Sequence, residues 1–326
     1  MPIQPNPSDV HDVVMIGAGP SALAAAVYTT REDIETVLYE KSVVGGLAAI
    51  TDKVDNYPGF PEGIEGMTLA GQLQQQAERF GAVIDFGDVS EIRDNGTTKT
   101  VVVDGKDVEA NAVLIATGSE YKKIGVPGET EYFGRGVHYC ATCDGAFYRD
   151  KKLAVVGGGN SAVQEAIFLT RFTTHIDLLV RSTIKASEVL QQDLQKFIDE
   201  GKITVHLGVV PTEIVAEDGK VTHVNAKKGD EDVRFDTDGV FIFVGLKPNT
   251  QFLTNSGIEL DAQGLIKTDE HLETNLPGVF ASGDVRSGAT MQIASAVGEG
   301  ATAALAIREY LDNLHHVEKV SAATTV

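Results

Sequence analysis

The sequence predicts an α/β fold built from two copies of one strand–turn–helix–strand unit, and three observations predict it. Over residues 13–40, a short apolar run is followed by a glycine-rich turn, an alanine-rich segment with helical spacing and a second apolar run. The same order returns over residues 153–181. After each unit, short β-type runs are separated by Asp-Gly and similar turns. This alternation predicts parallel sheets, and 326 residues are enough for two domains.

The composition is that of a globular protein with an acidic surface. Hydrophobic residues make up 42% of the chain, charged residues 23%, and the formal net charge is −20. This charge argues against nucleic acid or an anionic membrane as a partner, because either requires basic patches. No apolar run approaches the roughly 18 residues of a membrane span, and the first ten residues lack the apolar core of an export signal. We therefore expect a loose tail at residues 1–9 and a cytoplasmic location.

The first unit has the features of a dinucleotide site. A strand at residues 13–16 runs into the turn at residues 17–22, Gly-Ala-Gly-Pro-Ser-Ala, which has the pattern G-x-G-x-x-A. A helix is predicted at residues 23–28, and a strand at residues 36–39 ends on Glu40. The glycines let the backbone approach a pyrophosphate, the helix N-terminus offers N–H groups, and an acid about 20 positions on accepts ribose hydroxyls. The alternative is a glycine-rich turn that only closes a βα unit.

Between the two units we expect a helix, an antiparallel β insert and a further buried strand. The helix is predicted over residues 69–80, the insert over residues 83–108 and the strand over residues 112–118. Two stretches rich in glycine or proline, at residues 45–47 and 56–60, are predicted to be loops. The strand at residues 112–118 ends in a small-residue turn, although by itself it is equally consistent with a plain core strand.

The second unit repeats the first with one change of charge. A strand at residues 153–156 precedes the turn at residues 157–162, Gly-Gly-Gly-Asn-Ser-Ala, followed by a helix at residues 163–171 and a strand at residues 176–180. Here the strand ends on Arg181, whose cation suits a 2′-phosphate, whereas an acid would suit a free 2′-hydroxyl. Two such units in one chain imply one dinucleotide that is kept and one that visits, with electrons passing between them.

The chain after the second unit is predicted to return to the first domain. Residues 203–236 are β-like, a buried strand is expected at residues 240–245, and residues 247–249 form a link back. A strand over residues 278–284 ends in an acid, at the edge of an open α/β sheet where ligands bind. Residues 292–311 form a small-residue helix that either packs under a cofactor or is a plain core helix.

The only two cysteines of the chain, Cys140 and Cys143, form a Cys-x-x-Cys motif between the two units. In this spacing one thiol usually has a lowered pKa, which makes its thiolate a better nucleophile for disulfide exchange. Asp144 follows directly and is placed to move a proton on or off a leaving sulfur. A structural zinc site would require about four ligands, and no second cysteine pair or Cys-His cluster is nearby. We predict a redox pair and no metal; two incidental cysteines are the remaining alternative.

Both G-x-G-x-x-A turns, the Cys-Ala-Thr-Cys-Asp stretch between them and Gly283-Asp284 behind them make the chain resemble the low-molecular-weight thioredoxin reductases. These are class II flavoprotein pyridine nucleotide-disulfide oxidoreductases. The resemblance implies an α/β fold of two Rossmann-like, three-layer ββα dinucleotide-binding domains, the second inserted into the first. Residues 1–119 with 248–326 would bind FAD, and residues 120–247 would bind NAD(P)H and carry the cysteine pair. It also implies a homodimer.

The resemblance further implies an activity and a set of site residues. Electrons would pass from NADPH through FAD to the Cys140–Cys143 disulfide and then to thioredoxin or a thioredoxin-like protein. Cys143 would face the flavin, Cys140 would attack the partner's disulfide, and Asp144 would act as acid and base. The implied FAD contacts are Gly17, Gly19, Pro20, Ser21, Ala22, Glu40, Gly46, Leu47, Asn56, Ala116, Thr117, Gly118, Gly283, Asp284, Gln292 and Ile293. The implied NAD(P)H contacts are Gly157, Gly159, Asn160, Ser161, Ala162, Arg181 and Lys185.

The sequence departs from the family pattern mainly at the 2′-phosphate signature. The usual His-Arg-Arg followed by a further Arg is reduced to Arg181 and Lys185. The loss of one charged contact typically costs about 1.5–3 kcal/mol, or one to two decades of affinity. NADPH is the first choice of donor, and the same disulfide chemistry with NADH, ferredoxin or another donor is the alternative. A flavin-binding module without disulfide turnover, such as a sensor or scaffold, is a third hypothesis. Leu47, Ala22 and Met291 stand where glutamine, glycine and arginine are usual.

One geometric consequence concerns the links between the two domains. The nicotinamide and the cysteine pair both require the same flavin, yet both belong to the inserted domain. The resemblance therefore implies a rotation of one domain against the other, through links near residues 119–123 and 245–249.

Overall fold

The computed structural model describes residues 10–51, 53–54 and 56–324, and the tail predicted at residues 1–9 lies outside them. The strands are β1 (His11–Ile16), β2 (Thr36–Glu40), β3 (Val83–Phe86), β4 (Val89–Asp94), β5 (Lys99–Val103), β6 (Lys106–Ile115), β7 (Ser119–Tyr121), β8 (Val137–His138), β9 (Lys152–Val156), β10 (His175–Val180), β11 (Ile203–Leu207), β12 (Val209–Glu217), β13 (Lys220–Lys228), β14 (Glu231–Asp236), β15 (Gly239–Ile242), β16 (Leu246–Pro248) and β17 (Val279–Ala281). The α-helices are α1 (Pro20–Arg31), α2 (Gly46–Ala49), α3 (Gly66–Arg79), α4 (Ala141–Asp144), α5 (Asn160–Leu169), α6 (Glu188–Asp199) and α7 (Ile293–Thr324). Within the described part of the chain, no helix combines the length and apolar character needed to cross a membrane.

The chain divides into two compact units. The end unit comprises Met1–Glu120 and Lys247–Val326, and the inserted unit comprises Tyr121–Leu246. The chain therefore passes between the units twice, and the strands at the two passages, β7 and β16, pair with each other.

In the end unit, strands β3, β2, β1, β6 and β17 lie side by side and run parallel. Strand β6 is long enough to pair with two different strands along one of its edges. Its first half pairs antiparallel with β5, and its second half pairs parallel with β17. The prediction of an antiparallel insert from residue 83 onward is therefore wrong for β3, which pairs with β2 in parallel because α3 carries the chain back across the sheet. The antiparallel part is β4, β5 and the start of β6.

A second correction concerns the loop predicted at residues 45–47. Gly45 adopts φ +97°, which turns the chain, and the short helix α2 begins at the next residue. Leu47 and the two alanines after it are good helix formers, so one helical turn follows the glycine. The glycine content of this stretch marks the entry into the helix rather than a loop.

The core of the end unit lies on both faces of its parallel sheet. Because successive side chains of a strand alternate between faces, Met15 and Leu114 pack with helices α1 and α7, whereas Val14 and Val113 pack with the antiparallel strands. Helices α1 and α7 approach closely because α7 presents a glycine, Gly300, where a Cβ atom would lie 2.1 Å from a backbone oxygen of α1. The result is a helix layer, a parallel sheet and an antiparallel sheet.

The inserted unit repeats this architecture. Strands β11, β10, β9, β15 and β8 form a parallel sheet, and β12, β13 and β14 form an antiparallel one. Leu153 and Phe241 pack with helices α5 and α6 on one face, and Ala154 and Ile242 pack with the antiparallel strands on the other. Both units thus have the three-layer ββα arrangement that the sequence predicts.

Candidate functional site

The glycine-rich turn after β1 leaves its backbone open toward a ligand. Gly17 adopts φ +94°, and a Cβ atom there would lie 2.7 Å from the carbonyl oxygen of Ala116, so only glycine fits. Gly19 is the N-cap of α1, and a Cβ built on it would meet no described atom within 4 Å. Because the described residues supply no side-chain cap, the N–H groups of the first turn of α1 are available to an anion.

Glu40, at the end of β2, is anchored beside this turn. The Ala18 N–H donates to its Oε2 at 2.9 Å, and the Ser42 N–H donates to its Oε1 at 2.8 Å. The residue is 9% exposed, so the two amide donors replace much of the water it loses. Each carboxylate oxygen retains a further lone pair, which suits a pair of ribose hydroxyls.

A cavity of ≈ 610 Å³ opens within the end unit along the carboxyl edge of its parallel sheet. This volume is typical of cofactor sites. The cavity is lined by most of the residues for which the sequence implies FAD contacts, namely Gly17, Gly19, Pro20, Ser21, Glu40, Gly46, Leu47, Ala116, Thr117, Gly118, Gly283, Asp284, Gln292 and Ile293. Two do not line it: Ala22 is fully buried in the core behind the turn, and Asn56 donates from Nδ2 to Oε1 of Gln292 at 3.1 Å.

Part of the lining was not foreseen from the sequence. Much of it comes from the loop after β2, from the junction between β3 and β4, and from the point where the chain returns to the end unit. Representative residues are Val43, Asp88, Ser90, Asn249 and Phe252. No motif marks these residues, because they reach the cavity through the sheet order rather than through spacing along the chain.

The wall of the cavity at Thr117 is fixed by hydrogen bonds to the returning chain. Thr117 donates from Oγ1 to the carbonyl of Asn249 at 2.8 Å, and Asn249 donates from Nδ2 to the carbonyl of Thr117 at 2.9 Å. Ser119 donates from its hydroxyl to the carbonyl of Asp284 at 2.6 Å. These bonds join segments that are more than a hundred residues apart in sequence.

Asp284 gives the cavity a buried carboxyl group. Burial, with a contribution from the nearby charge of Glu299, raises the pKa of Asp284 to about 6. Glu299 itself is bound to Arg286, which donates from Nη2 to Oε1 at 2.7 Å and from Nε to Oε2 at 3.1 Å. Glu299 also accepts the N–H of Gly283 at 2.8 Å. Near pH 6 both forms of Asp284 are populated, so the group is able to accept hydrogen bonds from the hydroxyls of a ligand when ionised and also to donate one when protonated.

In the inserted unit, Cys140 and Cys143 form a disulfide with an S–S distance of 2.11 Å and Cα atoms 5.3 Å apart. Cys140 is the N-cap of α4, and the Cys143 N–H donates to the Cys140 sulfur at 3.1 Å. Both residues are half-buried. After reduction, this amide is placed to stabilise a thiolate on Cys140. Across the described residues, no cluster of His, Cys, Asp and Glu is arranged to hold a metal ion.

Asp144 lies next to a buried histidine that sequence reasoning did not identify. Nδ1 of His138 is 3.1 Å from Oδ2 of Asp144, and Nε2 of His138 is hydrogen-bonded to the hydroxyl of Tyr148 at 2.7 Å. His138 is two residues before the first cysteine, but no spacing rule gives it a role. Its position depends on the pairing of β8 with β15, which brings His138 opposite Phe241.

The second glycine-rich turn has the same geometry as the first. Gly157 adopts φ +145°, and a Cβ there would lie 2.4 Å from the carbonyl oxygen of Phe243. Gly159 is the N-cap of α5, and a Cβ on it would meet none of the described atoms within 4 Å. Asn160 and Ser161 are exposed beside it, whereas Ala162 is fully buried. This turn is therefore also open toward a phosphate group.

The two candidate cations lie in a loop that folds onto this turn. The N–H of Lys185 donates to the carbonyl of Gly158 at 2.6 Å, and the N–H of Ser187 donates to Oδ1 of Asn160 at 2.9 Å. Arg181 and Lys185 are both exposed, at the start and the middle of the loop. Their charges are thus free to meet an anionic group bound beside the turn.

Comparisons with known proteins show what the whole chain is similar to. Residues 11–300 match the family described as pyridine nucleotide-disulphide oxidoreductase. The chain is 42% identical over 314 residues to the thioredoxin reductase of Bacillus subtilis (strain 168), covering 95% of this chain and 98% of that protein. The crystal structure of thioredoxin reductase from Streptococcus pyogenes MGAS5005 is 38% identical, with a TM-score of 0.89 over 93% of this chain and 99% of that one. The thioredoxin reductase of Giardia duodenalis, 30% identical, gives a TM-score of 0.87 over 93% of this chain and 100% of that one.

Proposed function

This chain belongs to the pyridine nucleotide-disulphide oxidoreductase family, among its thioredoxin reductases, and we propose that NADPH is its electron donor, FAD its flavin and thioredoxin its protein substrate. Membership of this family means that the protein binds a flavin and a pyridine nucleotide. The observation that carries the proposal is the Cys140–Cys143 disulfide, followed by an acid, in a chain with two open phosphate turns.

The cavity of the end unit fits FAD by size and by its donor set. The uncapped amides of the first turn of α1 suit the pyrophosphate, Glu40 suits the ribose hydroxyls, and Asp284 suits the hydroxyls of the flavin's polyol chain. FAD bound there supplies a two-electron carrier that accepts hydride from a nicotinamide and reduces a disulfide. The chain's own residues bind and orient that carrier; they supply no redox chemistry other than that of the cysteine pair.

We assign the two cysteines different tasks. The Cys140 sulfur accepts the amide N–H of Cys143, which supports Cys140 as the thiolate that attacks the disulfide of thioredoxin. This attack forms a mixed disulfide and releases one thioredoxin sulfur. Cys143 then attacks the Cys140 sulfur, which restores the enzyme disulfide and releases the second thioredoxin sulfur. Asp144 accepts the proton of the Cys143 thiol and passes it to the departing sulfur.

The inserted unit is proposed to bind NADPH at its glycine-rich turn. The open backbone at Gly157 and Gly159 suits the pyrophosphate, and Arg181 and Lys185 supply two positive charges for the 2′-phosphate. An intact phosphate turn is expected in a protein that uses a nicotinamide and serves no purpose for a ferredoxin donor. The turn therefore favours a nicotinamide over ferredoxin, and the two cations favour NADPH over NADH.

The remaining proposals concern the arrangement of the chain. The end unit is the FAD domain, the inserted unit is the NADPH domain, and the two rotate against each other through the links at β7 and β16 during the cycle. The family resemblance supports a homodimer, which multi-angle light scattering of the purified protein tests directly. A cytoplasmic location remains a prediction from composition.

Steady-state turnover tests the proposed function. The purified holoprotein is assayed for oxidation of NADPH and, separately, of NADH in the presence of oxidised thioredoxin. We expect turnover that is faster with NADPH at equal low concentrations and that disappears in the Cys143→Ser variant. Absence of turnover with both nicotinamides, or retention of thioredoxin reduction by Cys143→Ser, would contradict the proposal.

A further inference from the structure

The histidine beside Asp144 is held in a fixed orientation. His138 is 4% exposed, and its ring stacks on Phe241 with centroids 5.1 Å apart and meets the edge of Tyr148 at 5.4 Å. Tyr148 is fixed in turn, since a Cβ on Gly239 would lie 2.4 Å from its ring. A ring packed in this way keeps both nitrogens pointed at their partners.

The partners of the two nitrogens define where the protons lie. An ionised carboxylate only accepts hydrogen bonds, so the tautomer of His138 that matches an ionised Asp144, 3.1 Å away, carries its proton on Nδ1. In the neutral ring, Nε2 then has a lone pair and accepts the hydroxyl proton of Tyr148 at 2.7 Å. Tyr148 donates to His138, and His138 faces Asp144 with its N–H. The donor hydrogens therefore all point the same way, from Tyr148 to His138 and from His138 to Asp144.

The charged surroundings favour this arrangement. Burial, with contributions from the negative charges of Asp144 and Asp238, raises the pKa of Tyr148, so its hydroxyl stays protonated as a donor. Asp144 comes from α4 and Asp238 from the segment before β15, while the ammonium of Lys151 lies 5.6 Å from the centre of the Tyr148 ring. Tyr148 thus remains a donor over the pH range in which thiols and carboxylates titrate.

We propose that His138, oriented by Tyr148, is a positioning residue that aims the Asp144 carboxylate for proton transfer during thiol–disulfide exchange. The inference rests on the proposed function and deepens it. In the step concerned, the Cys143 sulfur forms a bond to the Cys140 sulfur, and the electron pair of the broken mixed disulfide leaves with the thioredoxin sulfur. The Cys143 proton moves to Asp144 and from there to that sulfur, so that Asp144 ends the step ionised, as it began.

The test uses the pH dependence of a single oxidative half-reaction. Holoprotein reduced with a small dithiol and freed of excess is mixed with oxidised thioredoxin, and the rate is followed from acid to neutral pH. In His138→Phe, which keeps an aromatic ring against Phe241, we expect the acid limb of the rate profile to move to higher pH, because an N–H donor beside a carboxylate favours its ionised form and this variant removes that donor. We expect the Tyr148→Phe variant to move the acid limb in the same direction but by a smaller amount.

A matched control and a double variant separate positioning from packing. Tyr139→Phe removes another buried hydroxyl near the cysteines, one that donates to Glu129 at 2.8 Å, and leaves the limb in place. In an Asp144→Asn background the limb is absent, and adding His138→Phe changes the rate less than twofold. A uniform fall in rate at every pH in His138→Phe, with an unmoved limb, overturns the proposal; so does a full further effect in the Asp144→Asn background.

A second measurement needs neither flavin nor thioredoxin. Alkylation of the reduced cysteine pair by iodoacetamide, followed against pH, reports thiol deprotonation directly, and its profile is expected to shift in His138→Phe but not in Tyr139→Phe. If His138→Phe does not fold, His138→Asn replaces it, because asparagine retains an N–H donor near the position of Nδ1. We expect His138→Asn to keep the wild-type profile. A shifted profile in this variant contradicts the inference. Failure of the proposed function appears instead as a wild-type protein that does not reduce thioredoxin with NADPH.

Discussion

Thr117 and Asn249 exchange two hydrogen bonds, each side chain donating to the other residue's carbonyl group, at 2.8 and 2.9 Å. They join the turn between β6 and β7 to the segment that follows β16, and both residues line the cavity. This exchange therefore closes the cavity wall between two distant parts of the sequence.

Loss of this exchange is expected to weaken flavin binding. Asn249→Ala removes one donor and leaves the carbonyl of Thr117 without it, which costs about 1–3 kcal/mol of unfolding free energy. We expect purified Asn249→Ala to carry less flavin per chain, measured by absorbance after gel filtration. The matched control is Asn225→Ala, whose side chain donates to exposed Glu213 in the inserted unit; its flavin content should equal the wild type. Equal retention in both variants contradicts the role given to Asn249.

Alanine substitutions at two glycines of the first turn are predicted to have different effects, one on the stability of the protein and the other on its affinity for flavin. Gly17→Ala brings a Cβ to 2.7 Å from the backbone oxygen of Ala116 at φ +94°, so it should destabilise the apoprotein by about 1–3 kcal/mol. Gly19→Ala faces open space and should unfold like the wild type, yet lose flavin affinity because its methyl group occupies the approach of the pyrophosphate. Urea unfolding of the apoproteins and flavin titration separate the two effects. Normal flavin affinity in Gly19→Ala would place the cofactor elsewhere.

The buried carboxyl of Asp284 should make stability depend on pH. Its pKa is raised from the ordinary 3.8 to about 6, so the native state binds a proton more tightly than the unfolded chain. Stability is thus lost as the pH rises from about 4 to about 6 and stays lower above that range. We expect Asp284→Asn to stabilise the apoprotein by about 3 kcal/mol near neutral pH and by little near pH 4. A difference that is independent of pH would contradict this account.

Asp177 is predicted to give the opposite dependence of stability on pH from that of Asp284. Burial works to raise its pKa, but Lys152 and His206, each 2.8 Å from one carboxylate oxygen, hold the pKa of Asp177 below its ordinary range. A lowered pKa stabilises the native state above the unfolded value of 3.8, and this contribution is lost as the pH falls through the native pKa. Asp177→Asn should cost about 2 kcal/mol near neutral pH and less in acid. The control Asp193→Asn removes an exposed pair with Lys196 and should stay within about 0.5 kcal/mol.

The choice of nicotinamide is predicted to depend on Arg181. Arg181→Ser removes one of two cations beside the second turn, so KM for NADPH should rise by about ten- to a hundredfold with kcat little changed. KM for NADH, which lacks the 2′-phosphate, should stay within about twofold. Lys202→Ser, which removes a cation paired with Glu200 in the same unit, serves as the control. An equal rise for both nicotinamides would show that Arg181 does not contact the 2′-phosphate.

The parts of the molecule that were predictable from sequence are those set by local chemistry. The two turns, Glu40 and the cysteine pair depend on fixed spacings, and the family, the α/β fold and the disulfide reductase function inferred from them are confirmed. The contacts of individual residues with FAD and NADPH stay predictions.

What could not be predicted depends on contacts between distant segments. The parallel pairing of β3 is decided by the crossover through α3, not by its own residues. Asn249 reaches the cavity because the chain returns beside β7. His138 meets Asp144 only after β8 has paired with β15. Apolar periodicity and motif spacing contain no information about such pairings.

Trapping the thiols by alkylation, followed by mass spectrometry of the protein, tests most directly whether the Cys140–Cys143 disulfide carries electrons between the flavin and thioredoxin. Anaerobic holoprotein should gain two alkyl groups after NADPH is added, on Cys140 and Cys143, and none once oxidised thioredoxin has followed. A protein whose flavin is bleached by NADPH while the cysteine pair stays unalkylated would contradict the account.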